Sequence, residues 1–424
     1  MKILVLTTMP VKLDSEGYFN KSKSSGGWIG MLVNNIQKSD KVDKAAIVSV
    51  NPANDGSVDE VGNVKSFSIK SRIVTWRPQK QLIARFQEIL DEFKPDIIDI
   101  QGIEFTVGRD LLMCRHDAKV IATLQGIPAE LSKVYFCAMP KGFRHRRSFY
   151  DLTHFKGLAE KQRLMRMRGR SSHEILKKAD YVIGRTDWDH ANSWYVNPGA
   201  EYFYVPRAFR DDFYKEENKW KLEDVKRHRI FGIQGRDSAK GLHVALEALA
   251  LLKGSYPDVE LIVPGDYKYN SSKKKITAYE KYIRGLISKY SLEQNVKFVG
   301  SLSAAEMADY MKTSHIFCQY SLCENSPNSL GEAMMLGVPC VASFVGGTST
   351  YLHHDRSGLM YEKGEMQTLA FMIKKIFDDD ELALRLSENA RAEAFERNSP
   401  EKSKNCLFGV YEKIISQNDE VKAR

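Results

Sequence analysis

Residues 95–101, PDIIDIQ, decide the fold. Apolar side chains stand on adjacent positions, Ile97 and Ile98, and return at Ile100, which predicts a strand covered on both faces. Such a strand belongs in a parallel sheet with helices packed on either side. Working outward, similar runs recur at intervals long enough for a crossover helix: KILVLTT at 2–8, KAAIVSV at 44–50, KVIATLQG at 119–126 and ADYVIGRT at 179–186. A helix is expected from Trp28 to about Lys38, and this alternation argues for a doubly wound α/β unit.

The rhythm lapses after Tyr202, in the charge-rich segment PRAFRDDFYKEENKWKLEDVKRHR, and restarts with RIFGIQG at 229–235. Further strands are expected at VELIVPG (259–265), VKFVG (296–300), HIFCQYS (315–321) and PCVASFVGG (339–347), with helices near 241–256, 279–290, 304–313 and 329–336. The expected organisation is a first Rossmann-like domain over 1–205, a second over 206–399, and a C-terminal helix and tail over 400–424 that return to the first. A chain of 424 residues suits two cores better than one.

Composition narrows the classes. Hydrophobic residues make up 43% and charged residues 28%, near the soluble average. The six cysteines form no C-x-x-C pair, as expected in a reducing cytosol. No apolar run approaches the ~18–20 residues of a spanning helix, and MKILVLTTMP reads as a strand, not a leader. The net charge of +9 is concentrated: residues 131–170 carry eleven Lys or Arg against Asp151 and Glu160. Tyr135, Phe136, Met139, Phe143, Phe149, Tyr150, Phe155, Leu164 and Met165 interleave with those cations. The stretch reads as a docking surface for an anionic membrane and for the diphosphate of a polyprenyl-linked acceptor, with Arg144, Arg146 and Arg147 among its contacts, or as a solvated helix face with a buried aromatic side. A nucleic-acid surface has the same composition, but leaves the constellation described next unexplained.

In open parallel sheets, ligands bind beyond the carboxyl ends of the strands. Neither G-x-G-x-x-G after the first strand nor a P-loop is present, which leaves nucleotide-sugar chemistry as the leading reading of two Rossmann-like units. The richest loop is SLCENSPNSLGEAMMLGVPCVASFVGGT, residues 321–348. It sets Glu324, Asn325 and Ser326 before a helix, Pro327 near its start, Asn328 and Ser329 as candidate caps, and Glu332 one turn in. The helix start would hold a phosphate and Glu332 a ribose; alternatively Glu332 only complements the helix dipole.

ENSPNSLGEAM resembles the E-x7-E motif of family 4 retaining glycosyltransferases of the GT-B fold, in which two Rossmann-like domains face each other across a cleft. VPCVASFVGGT is similar to that family's following strand and its glycine turn, at Gly346 and Gly347. GLHVALEAL after Lys240 resembles its lysine-led helix start, Gly26 and Gly27 its N-terminal glycine loop, and FKPDIIDIQGIEF and VIGRTDWDHA are similar to capsule and exopolysaccharide members. The resemblance implies that Lys240 neutralises the donor diphosphate, Glu324 positions the sugar, Glu332 holds the ribose, and Gly26 and Gly27 let backbone approach the diphosphate. It implies a nucleotide diphosphate sugar as donor, UDP ahead of GDP or ADP, with no metal and no tightly bound cofactor. The acceptor would be a polyprenyl-diphosphate-linked saccharide or a polysaccharide, in capsule, exopolysaccharide or O-antigen synthesis, at the cytoplasmic face of the cell membrane. Two departures stand out. The arginine usual five residues before the lysine is Gly235, with Arg236 beside it, and the usual T-x-H histidine is Gln125. Arg185, Asp187 and Asp189 follow a strand and either face the acceptor or cap a helix. On the same architecture a nucleotide-sugar epimerase or a sugar-phosphate synthase is the alternative.

Overall fold

A computed structural model describes residues 1–11, 27–265 and 275–422; the expected loop glycine Gly26 lies outside the described residues. The chain forms two parallel sheets in two compact units.

The first sheet holds β1 (Lys2–Thr7), β2 (Lys44–Val50), β3 (Val58–Val61), β4 (Val64–Ile69), β5 (Ile97–Gln101), β6 (Lys119–Thr123), β7 (Tyr181–Gly184) and β8 (Glu201–Tyr204). Its order is β3-β4-β2-β1-β5-β6-β7-β8, parallel except for β3 on the edge. Alternate residues feed different cores, as PDIIDIQ predicts. Leu4, Leu6, Ile98 and Ile100 lie in one apolar cluster, and Ile3, Val5 and Ile97 in another on the opposite face. Phe408, Tyr411 and Ile414 of the last helix, Pro400–Lys422, belong to the second cluster, so that helix does return to the first unit. Its Tyr411 hydroxyl donates to Asp99 at 2.6 Å, inside a fully buried network that also takes bonds from Thr123 and Gln101, each 2.7 Å. Burial pushes the Asp99 carboxyl above the usual carboxylate range against the pull of these donors.

The second sheet runs β11-β10-β9-β12-β13-β14, with β9 Lys226–Phe231, β10 Glu260–Val263, β11 Val296–Phe298, β12 Ser314–Gln319, β13 Cys340–Ser343 and β14 Leu359–Tyr361, all parallel. This is the doubly wound order whose direction reverses between the first and fourth strands, here β9 and β12, and the crevice at such a reversal is where ligands sit.

The division differs from the one read along the sequence. One unit is 1–129, 166–208 and 398–424; the other is 130–165 and 209–397. The basic segment therefore belongs, over 130–165, with the second sheet and not with the first domain. The reason is apolar burial: Tyr135 and Phe143, 1% and 2% exposed, sit in the same core as Tyr279 and Ile283. Polar contacts fasten it further, with Ser238 Oγ donating to the Tyr135 carbonyl (2.9 Å) and the Ala278 N–H to Asp151 (2.8 Å).

Candidate active site

Two loops meet beyond the carboxyl ends of β9 and β12, and Tyr320 stitches them. Its hydroxyl donates to the Ile233 carbonyl, its ring lies so close to Gly232 that a Cβ there would fall 2.6 Å from the hydroxyl, and Leu322, two residues on, donates its N–H to the Ala239 carbonyl at 2.8 Å. The β9 loop then makes a short turn, Ser238–Lys240, with the Asp237 side chain accepting from the Ala239 N–H (3.0 Å). Gly241 ends the turn at φ +71°, where a Cβ would stand 2.0 Å from the Tyr320 carbonyl oxygen. Only glycine fits, for conformation and for space.

This stitching brings Lys240 and Glu324 together as an ion pair. Ser321 Oγ also donates to the same Glu324 oxygen, at 2.7 Å. The side chains are 31% and 16% exposed, so the pair is partly open. Burial alone would lower the Lys240 pKa, but the Glu324 carboxylate, with help from Asp237, holds it above the usual lysine value. Lys240 is therefore a fixed cation at neutral pH. The expected glycine turn joins the same place, since the Gly347 N–H donates to the Glu324 carbonyl at 3.1 Å.

The helix Asn328–Leu336 begins one residue earlier than its expected caps require. Pro327 takes the N-cap position and no side chain caps the helix, so Asn328 and Ser329 lie in its first turn and are not caps. Asn325 is buried and Ser326 half-buried on the approach to that turn. Glu332, 5% exposed, is gripped by Arg210, whose Nε and Nη2 each donate at 2.9 Å to separate carboxylate oxygens. Arg210 itself lies over the Phe213 ring at 4.9 Å. The sequence reading missed Arg210, which sits in the charge-rich connection; the only signal was an arginine followed three residues later by an aromatic.

The space a side chain at Gly235 would need is filled by Leu242, whose Cδ2 would lie 2.3 Å from the added Cβ. Arg236 lines a cavity of about 410 Å³, together with Tyr150, Lys156, Lys161 and Lys275. Gly27 is the first residue of the helix Gly27–Gln37.

The remaining expected residues divide between the units. In the first unit, Gln125 accepts from Arg207, and Arg185, 6% exposed, donates to the Leu124 carbonyl. Glu104, missed in the sequence, follows β5 there, with its Oε2 buried and without a hydrogen-bond partner among the described residues. Burial pushes its carboxyl up, opposed by its own backbone and by the charges of Arg168, Arg207 and Arg185. Asp189 is the reciprocal partner of the N-cap Thr186 in a capping box: it accepts from the Arg185 and Thr186 N–H groups and from Tyr202, while Asp187 is exposed in the first turn. In the second unit Arg144 and Arg146 lie over the Phe136 and Phe143 rings, and Arg147 pairs with Glu160 at 2.7 Å. All six cysteines are free. Among the described residues no group of three or more His, Cys, Asp or Glu is placed to hold a metal, and no helix is long and apolar enough to cross a membrane.

Comparison with known proteins adds names to this geometry. Residues 214–393 match the family described as "Glycosyl transferases group 1", a span that includes Lys240, Glu324 and Glu332. The chain is 27% identical over 208 residues to the uncharacterized glycosyltransferase YqgM of Bacillus subtilis, a match covering 48% of this chain and 54% of that one. It is 30% identical over 156 residues to the amylovoran biosynthesis glycosyltransferase AmsK of Erwinia amylovora, covering 35% of each. The chain thus spans about half and about a third of these relatives' lengths. Among solved structures, Anabaena Alr3699/HepE in complex with UDP and glucose has the same fold, with a TM-score of 0.66 at 19% identity over 97% of this chain and 99% of that one.

Proposed function

We propose that the chain is a retaining glycosyltransferase that takes its sugar from a nucleotide diphosphate donor, UDP-linked, without a metal. The observation that carries the reading is the Lys240–Glu324 pair at the β9/β12 reversal, beside a helix whose first turn no side chain caps. The donor diphosphate sits against that turn and the fixed Lys240 cation, which meets the charge that grows on the leaving phosphate as the glycosidic bond breaks. Binding draws Lys240 toward the phosphate and frees Glu324 to accept hydrogen bonds from the sugar hydroxyls. The departing phosphate oxygen takes the acceptor proton, so no side chain need act as base. Glu332, oriented by Arg210, holds the ribose.

The match of residues 214–393 and the UDP complex of a protein with the same fold support the donor class. The name of the Erwinia amylovora relative supports an extracellular polysaccharide pathway. On this reading the acceptor is a lipid-linked saccharide, met at the cytoplasmic face of the membrane. The domain bearing the donor is the second unit, and Gln125 and Arg185 of the first contact the acceptor.

The test is a screen of nucleotide sugars for released nucleotide, with and without a polyprenyl-diphosphate saccharide, in the native chain and in Glu324→Ala. Acceptor-dependent release lost in the variant, with UDP binding retained, is expected. Conversion of donor alone would point to an epimerase, and normal turnover in Glu324→Ala would remove its assigned role.

A further inference from the structure

Residues 149–155 carry an arrangement that donor chemistry does not use. The short helix Phe149–His154 holds three large apolar side chains in the open: Phe149 is 75% exposed, Leu152 54%, and Phe155, just past its end, 80%. This exposure is built, not incidental to a loose loop. Ser148 and Asp151 form a reciprocal capping box, and Asp151, 2% exposed, also accepts the Ala278 N–H at 2.8 Å, so one buried carboxylate oxygen ties the helix to the start of another, Ala278–Lys289. Clustered exposed apolar groups on a fixed scaffold mark an interaction site.

Tyr150 and Lys156, the chain neighbours of Phe149 and Phe155, line the 410 Å³ cavity. His154 stacks on the Tyr150 ring at 4.2 Å, and Lys156 donates to the Tyr150 hydroxyl at 3.1 Å. Lys156, Lys161, Arg236 and Lys275 bring four cations to the walls. Two carboxylates share the lining, Asp237 and Glu280, but both are turned to backbone, Asp237 to the Ala239 N–H (3.0 Å) and Glu280 to the Thr277 N–H (2.7 Å). Among the described residues neither Lys161, Arg236 nor Lys275 forms an ion pair within the chain. A cavity within the ~300–1,000 Å³ range of ligand sites, with a cationic excess and exposed apolar side chains next in the chain to two of its lining residues, has the two-part chemistry of an amphiphile.

We propose that this cavity takes the phosphate or diphosphate head of a lipid whose hydrocarbon rests on Phe149, Leu152 and Phe155. Arg236 in the cavity wall and Lys240 lie four residues apart on the same β9 loop. The inference rests on the glycosyltransferase reading only in naming the lipid as the acceptor carrier. It is distinct from the docking of a broad basic stretch, because it requires a headgroup to enter a pocket.

The experiment is co-sedimentation of the full chain with three vesicle types: zwitterionic lipid alone, the same lipid with polyprenyl diphosphate, and the same lipid with phosphatidylglycerol at matched charge. Tighter binding to the polyprenyl diphosphate vesicles is expected, falling at least about tenfold in Lys161→Glu/Lys275→Glu and in Phe149→Ser/Phe155→Ser, each with an unchanged thermal transition. Equal binding to both anionic vesicles, or unaltered binding of either variant, overturns the proposal. Displacement by inorganic pyrophosphate as effective as by the lipid assigns the cavity to free phosphates and removes the hydrocarbon contact from it. UDP binding measured in parallel keeps the donor reading separate: its absence in the native chain sinks that reading without touching the vesicle result.

Discussion

Arg210 holds Glu332 through two parallel 2.9 Å hydrogen bonds, from a residue before the second sheet begins to one on the helix after β12. A forked guanidinium fixes the plane of the carboxylate as well as its position, which a lysine cannot do. Arg210→Lys is expected to raise the donor KM about tenfold while kcat changes little, because ribose binding is made alike in ground and transition states. Arg210→Ala adds a stability loss of about 1–2 kcal/mol, below the ~3–5 kcal/mol of a wholly buried pair because the arginine is 38% exposed. Donor titration and urea denaturation of both variants measure the two effects; an unchanged KM in both would show that Glu332 does not touch the donor.

The Lys240–Glu324 pair makes a second, pH-dependent prediction. Burial pushes the Lys240 pKa down and Glu324, with Asp237, more than restores it, so Glu324→Gln removes the larger opposing charge and lowers it. The alkaline limb of UDP binding, which needs the ammonium, is expected to move to lower pH in Glu324→Gln. Lys240→Met removes the limb and lowers kcat by about 10²–10³. A UDP affinity flat across pH 6–10 in the native chain and in Glu324→Gln would detach Lys240 from the diphosphate.

Much of this site was legible because its parts are local. PDIIDIQ and the runs around it declare parallel strands by their own apolar pattern, and Glu324 and Glu332 share one loop and helix. What was hidden depends on long-range packing. Arg210 acquires its role from Phe213 beneath it and from a helix over a hundred positions away, and no periodicity in PRAFRDDF announces that. The basic segment follows the first-sheet strand β6 in the chain, so order alone assigned it to the first domain. Its burial against Tyr279 and Ile283 assigns it to the second. The same packing sorts its aromatics, since Tyr135 and Phe143 enter the core and leave Phe149 and Phe155 outside.

Tyr411 and Asp99 supply a stability prediction in the first unit. A carboxyl raised by burial stays protonated in the fold at pH values where the unfolded chain, near ~3.9, ionises. Its contribution is whole below that value and is lost as pH rises toward the folded pKa. Tyr411 donates to the ionised form, so Tyr411→Phe raises the folded pKa further and widens the window of loss. The variant is expected to lose about 1–3 kcal/mol, more at pH 8 than at pH 4, by urea denaturation. A loss independent of pH would mean that Tyr411 acts through packing alone.

Gly241 and Gly285 test whether the stitched loops place Lys240. A Cβ at Gly241 meets the Tyr320 carbonyl oxygen at 2.0 Å, and that oxygen is backbone at the end of a buried strand, so it cannot swing aside as a side chain would. The residue also sits at φ +71°, which costs a non-glycine residue about 1 kcal/mol before any clash. Gly241→Ala must therefore push the turn away from β12, and Lys240, the residue before it, moves with the turn. Gly285 lies inside the helix Ala278–Lys289 with nothing within 4 Å of an added Cβ, so alanine there only gains helix propensity, about 0.5–1 kcal/mol. The expected pair of results is a folded but less stable Gly241→Ala whose kcat falls more than tenfold, and a Gly285→Ala of native activity and equal or higher Tm. Equal activity in both would mean that Lys240 finds Glu324 without the close approach of the β9 and β12 loops, because the alanine methyl leaves no geometry in which that approach survives.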